Sequence, residues 1–489
     1  MPETFLNRAN VRVISGSAAD GNEAPRSELP PSLGFILIGG ALVGAQVRDI
    51  RLANELVRRG YPVHVWWAMD RAKDKRLDPA ITQRWLFQSV RYSGMLGLPA
   101  IEEAIARLIC RVTPDALRAR ILQKFPSFFE EQIRETVRHV CQGVEKDQTL
   151  IRRFAAELTG AGVTHLMPTL EFLAPFAEAA KPLVPHLLRY LVTFQGYELY
   201  AKYAREINCE EELYRRLRNT VAASDWAAIG VSPEYCDRIH NDVGVSPDQL
   251  RAIPPGIPPA PPMELDRARA IVSERFPTVR RDIPLISYVG RRDSEKGLDL
   301  LVYAAKILAG RGVEFQLAIC GPTAFGNHYQ LAVEQVAHNL RCPVLWSDFV
   351  SDELRSALFR SSTAVVYPSI HEEPFGMVPV EAMACGTPVI VPDTGGVSGV
   401  VQVGASVGGL KFRSWDTRHL ADQLQLMICD AELRAELAAA APVIANHFSV
   451  EKLGERVLDH LELPRFYTGE SISAKRFSPH RDQAASRVA

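Results

Sequence analysis

Residues 367–400 read YPSIHEEPFGMVPVEAMACGTPVIVPDTGGVSGV, and the rest of the chain is organised around them. The apolar run ending at Tyr367 has the character of a buried parallel strand. A loop follows, His371 to Gly376, and then a helix predicted over about Met377 to Ala384. Pro379 falls in the first turn of that helix, where a missing N–H costs nothing, and Gly386 is placed to end it. Pro388 and Val389-Ile390-Val391 open the next strand. The unit is therefore strand, loop, helix, strand, with acids gathered at a helix N-terminus. Unpaired N–H groups and the positive end of the helix dipole make such a place good for phosphates and sugar oxygens. Glu373 lies on the loop and Glu381 on the helix, so two carboxylates can accept hydrogen bonds from two polyols, such as a ribose and a hexose. An ordinary loop with solvated acids would show the same spacing.

The full pattern, E-P-F-G-M-V-P-V-E-A-M-A-C-G-T-P-V-I over residues 373–390, resembles the E-x7-E signature of retaining GT-B-fold glycosyltransferases of family four (glycosyl transferases group 1). Glu373 and Glu381 fall on its two acids. The resemblance implies an α/β fold of two Rossmann-like domains facing a cleft, with a C-terminal helix crossing back to the N-terminal domain.

Composition is compatible with this. The chain has 489 residues, 47% of them apolar, which suits two to three domains with full cores. A formal net charge of -1 gives no bulk electrostatic case for a nucleic-acid partner. The eight cysteines are scattered without CxxC pairs, so neither a zinc site nor a disulfide framework is indicated, and a reducing compartment fits best. No run reaches the roughly 18 apolar residues needed to span a bilayer. The polar start, MPETFLNRANVRVISGSAADGNEAPRSELPP, reads as a disordered leader rather than a signal peptide. A cytoplasmic location is expected.

Gly34 to Ile38 is a strand candidate running into Gly39-Gly40-Ala41-Leu42-Val43-Gly44, a helical pattern ending at Gly60, and a second strand at Tyr61 to Trp67. That order is a Rossmann-like βαβ unit. Its G-G-x-x-x-G loop is not the G-x-G-x-x-G of a dehydrogenase. In the resembled family a loop here closes over the donor diphosphate, a role the resemblance gives to Gly44. Residues 70–160 read as largely helical, with breaks at Pro99, Pro114 and Pro126. Arg107, Arg111, Arg118 and Arg120 form either a solvated face or a peripheral contact for anionic lipid at the inner face of a membrane. Further strands are predicted at Val163 to Met167, Leu191 to Phe194 and Ala227 to Ser232. Gln195 stands where relatives commonly carry a histidine near the acceptor; an amide can donate and accept hydrogen bonds but cannot be a general base.

Leu250 to Ile257 resembles the interdomain linker, stiffened by the prolines at 258–262, with Pro255 where asparagine is common. Ile283 to Val289 then opens the second domain, followed by Gly290-Arg291-Arg292-Asp293-Ser294-Glu295-Lys296-Gly297. This is similar to the family's V-G-R-x-x-x-x-K-G motif. One guanidinium and one ammonium can neutralise a nucleoside-diphosphate leaving group without a metal. Gly399 occupies a position where relatives often carry an acid. The expected domains are 32–257 for the acceptor, 258–448 for the donor and 449–466 for the crossover helix, with a disordered leader at 1–31 and a disordered tail at 467–489.

The resemblance implies a metal-independent hexosyltransferase that uses no cofactor beyond its nucleotide-diphosphate sugar and acts on a hydroxyl acceptor that is a glycan, a lipid or a small molecule. Glu373, Arg291 and Lys296 are the expected catalytic residues. Gly44, Phe375, Gly376, Met377 and Glu381 are expected at the donor, and Gln195 on the acceptor side. A catalytically silent nucleotide-sugar-binding module, or a phosphorylase or epimerase on the same fold, are the competing readings.

Overall fold

The computed structural model describes residues 11–13, 30–39, 44–68, 73–87, 126–323 and 328–468. The N-terminal sheet has strands in the spatial order Thr82–Trp85, Val63–Trp67, Ser32–Leu37, Val163–Pro168, Arg189–Tyr190, every pair parallel. Thr193–Phe194, Ala228–Gly230 and Leu250–Ala252 continue as a second small parallel sheet. The C-terminal sheet runs Val344–Ser347, Gln316–Cys320, Leu285–Val289, Ala364–Val366, Val389–Pro392, Gly409–Phe412, again all parallel. Strands buried on both faces explain the near-continuous apolar runs in the sequence.

Both sheets reverse their order beside the first strand. In the C-terminal domain the reversal lies between Leu285–Val289 and Ala364–Val366. In the N-terminal domain it lies between Ser32–Leu37 and Val163–Pro168. The loops leaving the carboxyl ends of such neighbouring strands diverge to opposite faces and leave a crevice, which is where open α/β sheets bind ligands.

The helix Val450–His460 joins the domains. Ser449 caps it by accepting a hydrogen bond from the Lys452 N–H, 3.2 Å. Its buried face, Leu453, Val457 and Leu458, continued by Leu461 just beyond it, packs into the N-terminal core with Leu33, Ile50 and Leu56. Each such side chain contributes about 1.5–3 kcal/mol on burial. Gly454 allows the close approach, since a Cβ there would lie 2.8 Å from Glu55 Cγ. Outgoing and returning chains meet where Ile257 N–H donates to Phe448 O, 2.8 Å, and Val450 N–H to Ile257 O, 3.2 Å.

Several sequence expectations need correction. Thr82–Trp85, placed in a helical stretch, is a strand, because the edge of Val63–Trp67 offers it a ladder of backbone partners. Leu250–Ala252, read as linker, is the last strand of the N-terminal domain. Val11–Val13, in the supposed leader, pairs antiparallel with Phe466–Thr468 at the start of the supposed tail. Arg107, Arg111, Arg118 and Arg120 lie outside the described residues, as does the remainder of the tail beyond 468. Among the described residues no helix is long and apolar enough to cross a membrane.

Candidate functional site

The C-terminal crevice is built by two loops. The first, after Leu285–Val289, carries Arg291 and Lys296. It folds through the short turn Ser294–Lys296 and ends on Gly297 at φ 61°, a left-handed conformation suited to glycine. A Cβ at Gly297 would stand 2.2 Å from Pro368 O, so the glycine also lets this loop lie against the second one. The second loop, after Ala364–Val366, carries Ser369, His371 and Glu373 and enters the helix Met377–Ala384 through Gly376.

Where the loops touch, Lys296 Nζ donates to Glu373 Oε1. Both residues are buried, 6% and 9% exposed, so this is a desolvated ion pair. The Ser369 hydroxyl donates to the same Glu373 oxygen at 2.9 Å. Burial pushes the Glu373 carboxyl up, but the Lys296 ammonium, with lesser help from His371 and Ser369, outweighs it and holds the group below its ordinary value. Burial likewise depresses Lys296, and the charges of Glu373 and Glu295 carry it above its ordinary value. Arg291 is paired with Asp293, 2.6 Å, and Glu295, 2.6 Å. Its neighbour Arg292, 1% exposed, turns away to Asp348 and Glu334. The crevice thus holds Arg291 and Lys296 at a helix N-terminus, an arrangement suited to a diphosphate.

Glu381, on the helix Met377–Ala384, accepts from Arg51 Nη2 at 2.8 Å. Arg51 belongs to the N-terminal helix Gly44–Arg58, and its other nitrogen donates to Gly256 O at 3.2 Å. The domains touch again where Ser232 Oγ donates to Pro374 O, 2.8 Å, and Arg238 Nη1 to Glu372 O, 3.1 Å. Gly44 faces Met377 across the cleft, its virtual Cβ 3.1 Å from Met377 Cε. Phe375 is buried beside Phe448, ring centroids 5.3 Å apart. Gly40 to Val43 lie outside the described residues.

Gln195 lies on the other wall, donating to Asp49 Oδ2, 3.1 Å, and Thr169 O, 2.7 Å. Where relatives' acid would follow the second glycine, Gly399 instead faces Glu234, whose Oε1 stands 3.2 Å from the place of a Cβ. An N-terminal-domain carboxylate therefore stands beside that position.

The structure brings Glu373, Lys296 and Arg291 into one crevice, and Gly44, Met377 and Glu381 to the domain junction beside it. Sequence reading missed Ser369, Arg51, Asp49, Glu171, Glu198 and Arg238. Ser369 had a signal, standing two residues beyond a predicted strand; the others come together only through the packing of distant segments.

Known proteins accord with this geometry. Residues 273–443 match the family model described as glycosyl transferases group 1. The D-inositol 3-phosphate glycosyltransferase of Xylanimonas cellulosilytica is 32% identical over 245 residues, 49% of this chain and 57% of that protein. That of Acidothermus cellulolyticus is 26% identical over 427 residues, 85% and 84% of the two chains. For the first four such relatives the chain spans only 57, 61, 59 and 58% of their length. The Anabaena HepE structure with UDP and glucose superposes with a TM-score of 0.62 at 16% identity, over 88% of this chain and 99% of that one. With its two parallel sheets and crossover helix this chain has the GT-B fold, and within it residues 273–443 are similar to the glycosyl transferases group 1.

Proposed function

We propose that this protein transfers a hexosyl unit from a nucleotide-diphosphate sugar to a hydroxyl acceptor, with retention of anomeric configuration and without a metal. The observation that carries this reading is the buried Lys296–Glu373 pair beside Arg291 at the N-terminus of Met377–Ala384. In this reading the ammonium, the guanidinium and the N–H groups of Phe375 and Gly376 receive the diphosphate. Glu381 takes the ribose hydroxyls once Arg51 yields it, and Glu373 holds the hexose and stabilises positive character at its anomeric carbon. The bond from that carbon to the phosphate oxygen breaks, the bond to the acceptor oxygen forms on the same face, and the acceptor proton passes to the departing phosphate. Gln195 cannot take that proton, which supports assigning it to the leaving group. Anabaena HepE is in complex with UDP and glucose, and the fold it shares with this chain supports a nucleotide sugar here.

The test is to incubate the protein with UDP-, GDP- and ADP-sugars and a mixed polyol panel, with and without a chelator. Formation of an α-linked product at an unchanged rate under chelation supports the reading. A strict Mg²⁺ requirement overturns its metal-free part, and a β-linked product overturns retention.

A further inference from the structure

Two helices of the N-terminal domain bring together cysteines 68 positions apart in the chain. Cys141 stands in the last turn of the helix Pro126–Gln142. Cys209 is the N-cap residue of the helix Glu210–Ala222. The Cys141 thiol donates to Cys209 O at 3.6 Å, and the two thiols lie against each other. Cys236, Cys320, Cys342 and Cys385 meet charged side chains instead of a second thiol.

The backbone holds Cys209 from both sides. Its N–H donates to Ala204 O at 2.8 Å, and its carbonyl accepts from Leu213 N–H at 2.9 Å. Asn208, at φ 57°, makes the sharp turn before it, a left-handed conformation that asparagine tolerates. The helix carrying Cys141 is tied to the end of Tyr197–Glu206, where Arg134 Nε donates to Glu206 Oε2 at 2.9 Å. Sulfurs that already touch, on elements held in this way, bond by side-chain rotation rather than backbone movement. Both cysteines are partly exposed, so a small oxidant reaches them. Burial, and then the adjoining Cys209 thiol, push the Cys141 thiol up, so the pair oxidises slowly and persists as two thiols in a reducing milieu.

We infer that Cys141 and Cys209 form a redox modification site, joining as a disulfide when a low-molecular-weight disulfide such as oxidised glutathione is supplied. One cysteine, as thiolate, attacks the oxidant and releases one small thiolate; the second then displaces the other from the mixed disulfide. The protons lost by the two cysteines end on the two released thiols, so the protein pair is oxidised and the external disulfide reduced. The bond constrains the unfolded chain and ties Pro126–Gln142 to the corner between Tyr197–Glu206 and Glu210–Ala222. Tyr197–Glu206 starts directly after Gln195 and Gly196 and carries Glu198, whose partner Arg238 reaches Glu372 O across the cleft. The crosslink therefore stiffens the N-terminal wall of the cleft and leaves the C-terminal crevice of Arg291, Lys296 and Glu373 untouched.

The experiment equilibrates full-length protein with reduced and oxidised glutathione in varied ratio, blocks free thiols by alkylation and maps the cysteines by peptide mass spectrometry. Thermal melting is read on the same samples. The inference predicts one linked peptide pair holding Cys141 and Cys209, lighter than the two peptides by two hydrogens, with alkylation lost at both positions together. It also predicts a melting temperature raised by at least about 4 °C on oxidation and restored by dithiothreitol. Cys141→Ser and Cys209→Ser should each abolish that rise. The linked pair is mapped in wild-type protein, so the result does not depend on either variant folding. Glutathione retained on one cysteine of wild-type protein without a linked pair, linkage of Cys141 or Cys209 to a different cysteine, alkylation of both at every ratio, or a melting temperature unchanged or lowered by oxidation overturns the inference.

Discussion

Lys296 Nζ and Glu373 Oε1 form a desolvated ion pair that bridges two loops separated by 77 positions in sequence. Removing one partner of a buried pair strands the other charge and costs about 3–5 kcal/mol. Alanine at either position therefore tests folding as well as chemistry. Glu373→Gln keeps the shape and a hydrogen-bond acceptor; it is expected to lower kcat/KM for transfer by at least about 100-fold, on the order of 3 kcal/mol. Steady-state kinetics with thermal melting checks this, and near-wild-type turnover in a folded variant removes Glu373 from the site.

Gly297→Ala should damage the same pair from the backbone. A residue forced into the left-handed region costs about 1–3 kcal/mol. The added Cβ also meets Pro368 O at 2.2 Å, so the Lys296 loop must move away from Ser369 and Glu373. The expected result in urea unfolding is a lower midpoint, together with weaker nucleotide binding. An unchanged midpoint contradicts the close approach of the two loops.

Arg51 ties Glu381 to the hinge carbonyl of Gly256. Arg51→Ala releases both contacts, so the ligand-free protein should open. Small-angle scattering should show a larger radius of gyration, restored toward the wild-type value by saturating nucleotide sugar. Identical scattering curves would show that the other cross-cleft contacts suffice.

Stability should depend on pH through Glu171. Burial first, and then the charge of Glu198, pushes its carboxyl to about 8 from an ordinary 4.5. The folded state keeps a proton that the unfolded chain has lost, so this stability is fully present below pH 4.5 and fades as pH rises to 8. The loss is on the order of 5 kcal/mol. Glu373 has the opposite sign: its depressed value stabilises above pH 4.5 and is lost as pH falls through the folded value. Melting temperature against pH should flatten between about 5 and 8 in Glu171→Gln; an unaltered slope places the titrating group elsewhere.

The parallel strands and the signature helix were legible in sequence because their signals are local: apolar runs, a proline at a helix start, a glycine at its end. Met377–Ala384 is found where Pro379 and Gly386 put it. Thr82–Trp85 was not legible, since nothing in TQRW distinguishes it from a helical segment until the edge of Val63–Trp67 is beside it. The C-terminal crevice could be read because Glu373, Lys296 and Arg291 sit in motifs. The N-terminal one could not. Asp49, Glu171, Gln195, Glu198 and Arg238 share no spacing, and only the order reversal of the N-terminal sheet gathers them. Nor does sequence show that Glu381 is already engaged by Arg51.

The most direct test of the central claim is to follow anomeric NMR signals over hours with the protein and α-linked UDP-, GDP- and ADP-sugars. A retaining transferase with this donor crevice should bind one nucleotide class and accumulate an α-configured product, both reduced by Glu373→Gln. No binding to any nucleotide sugar, or a β-configured product, would contradict it.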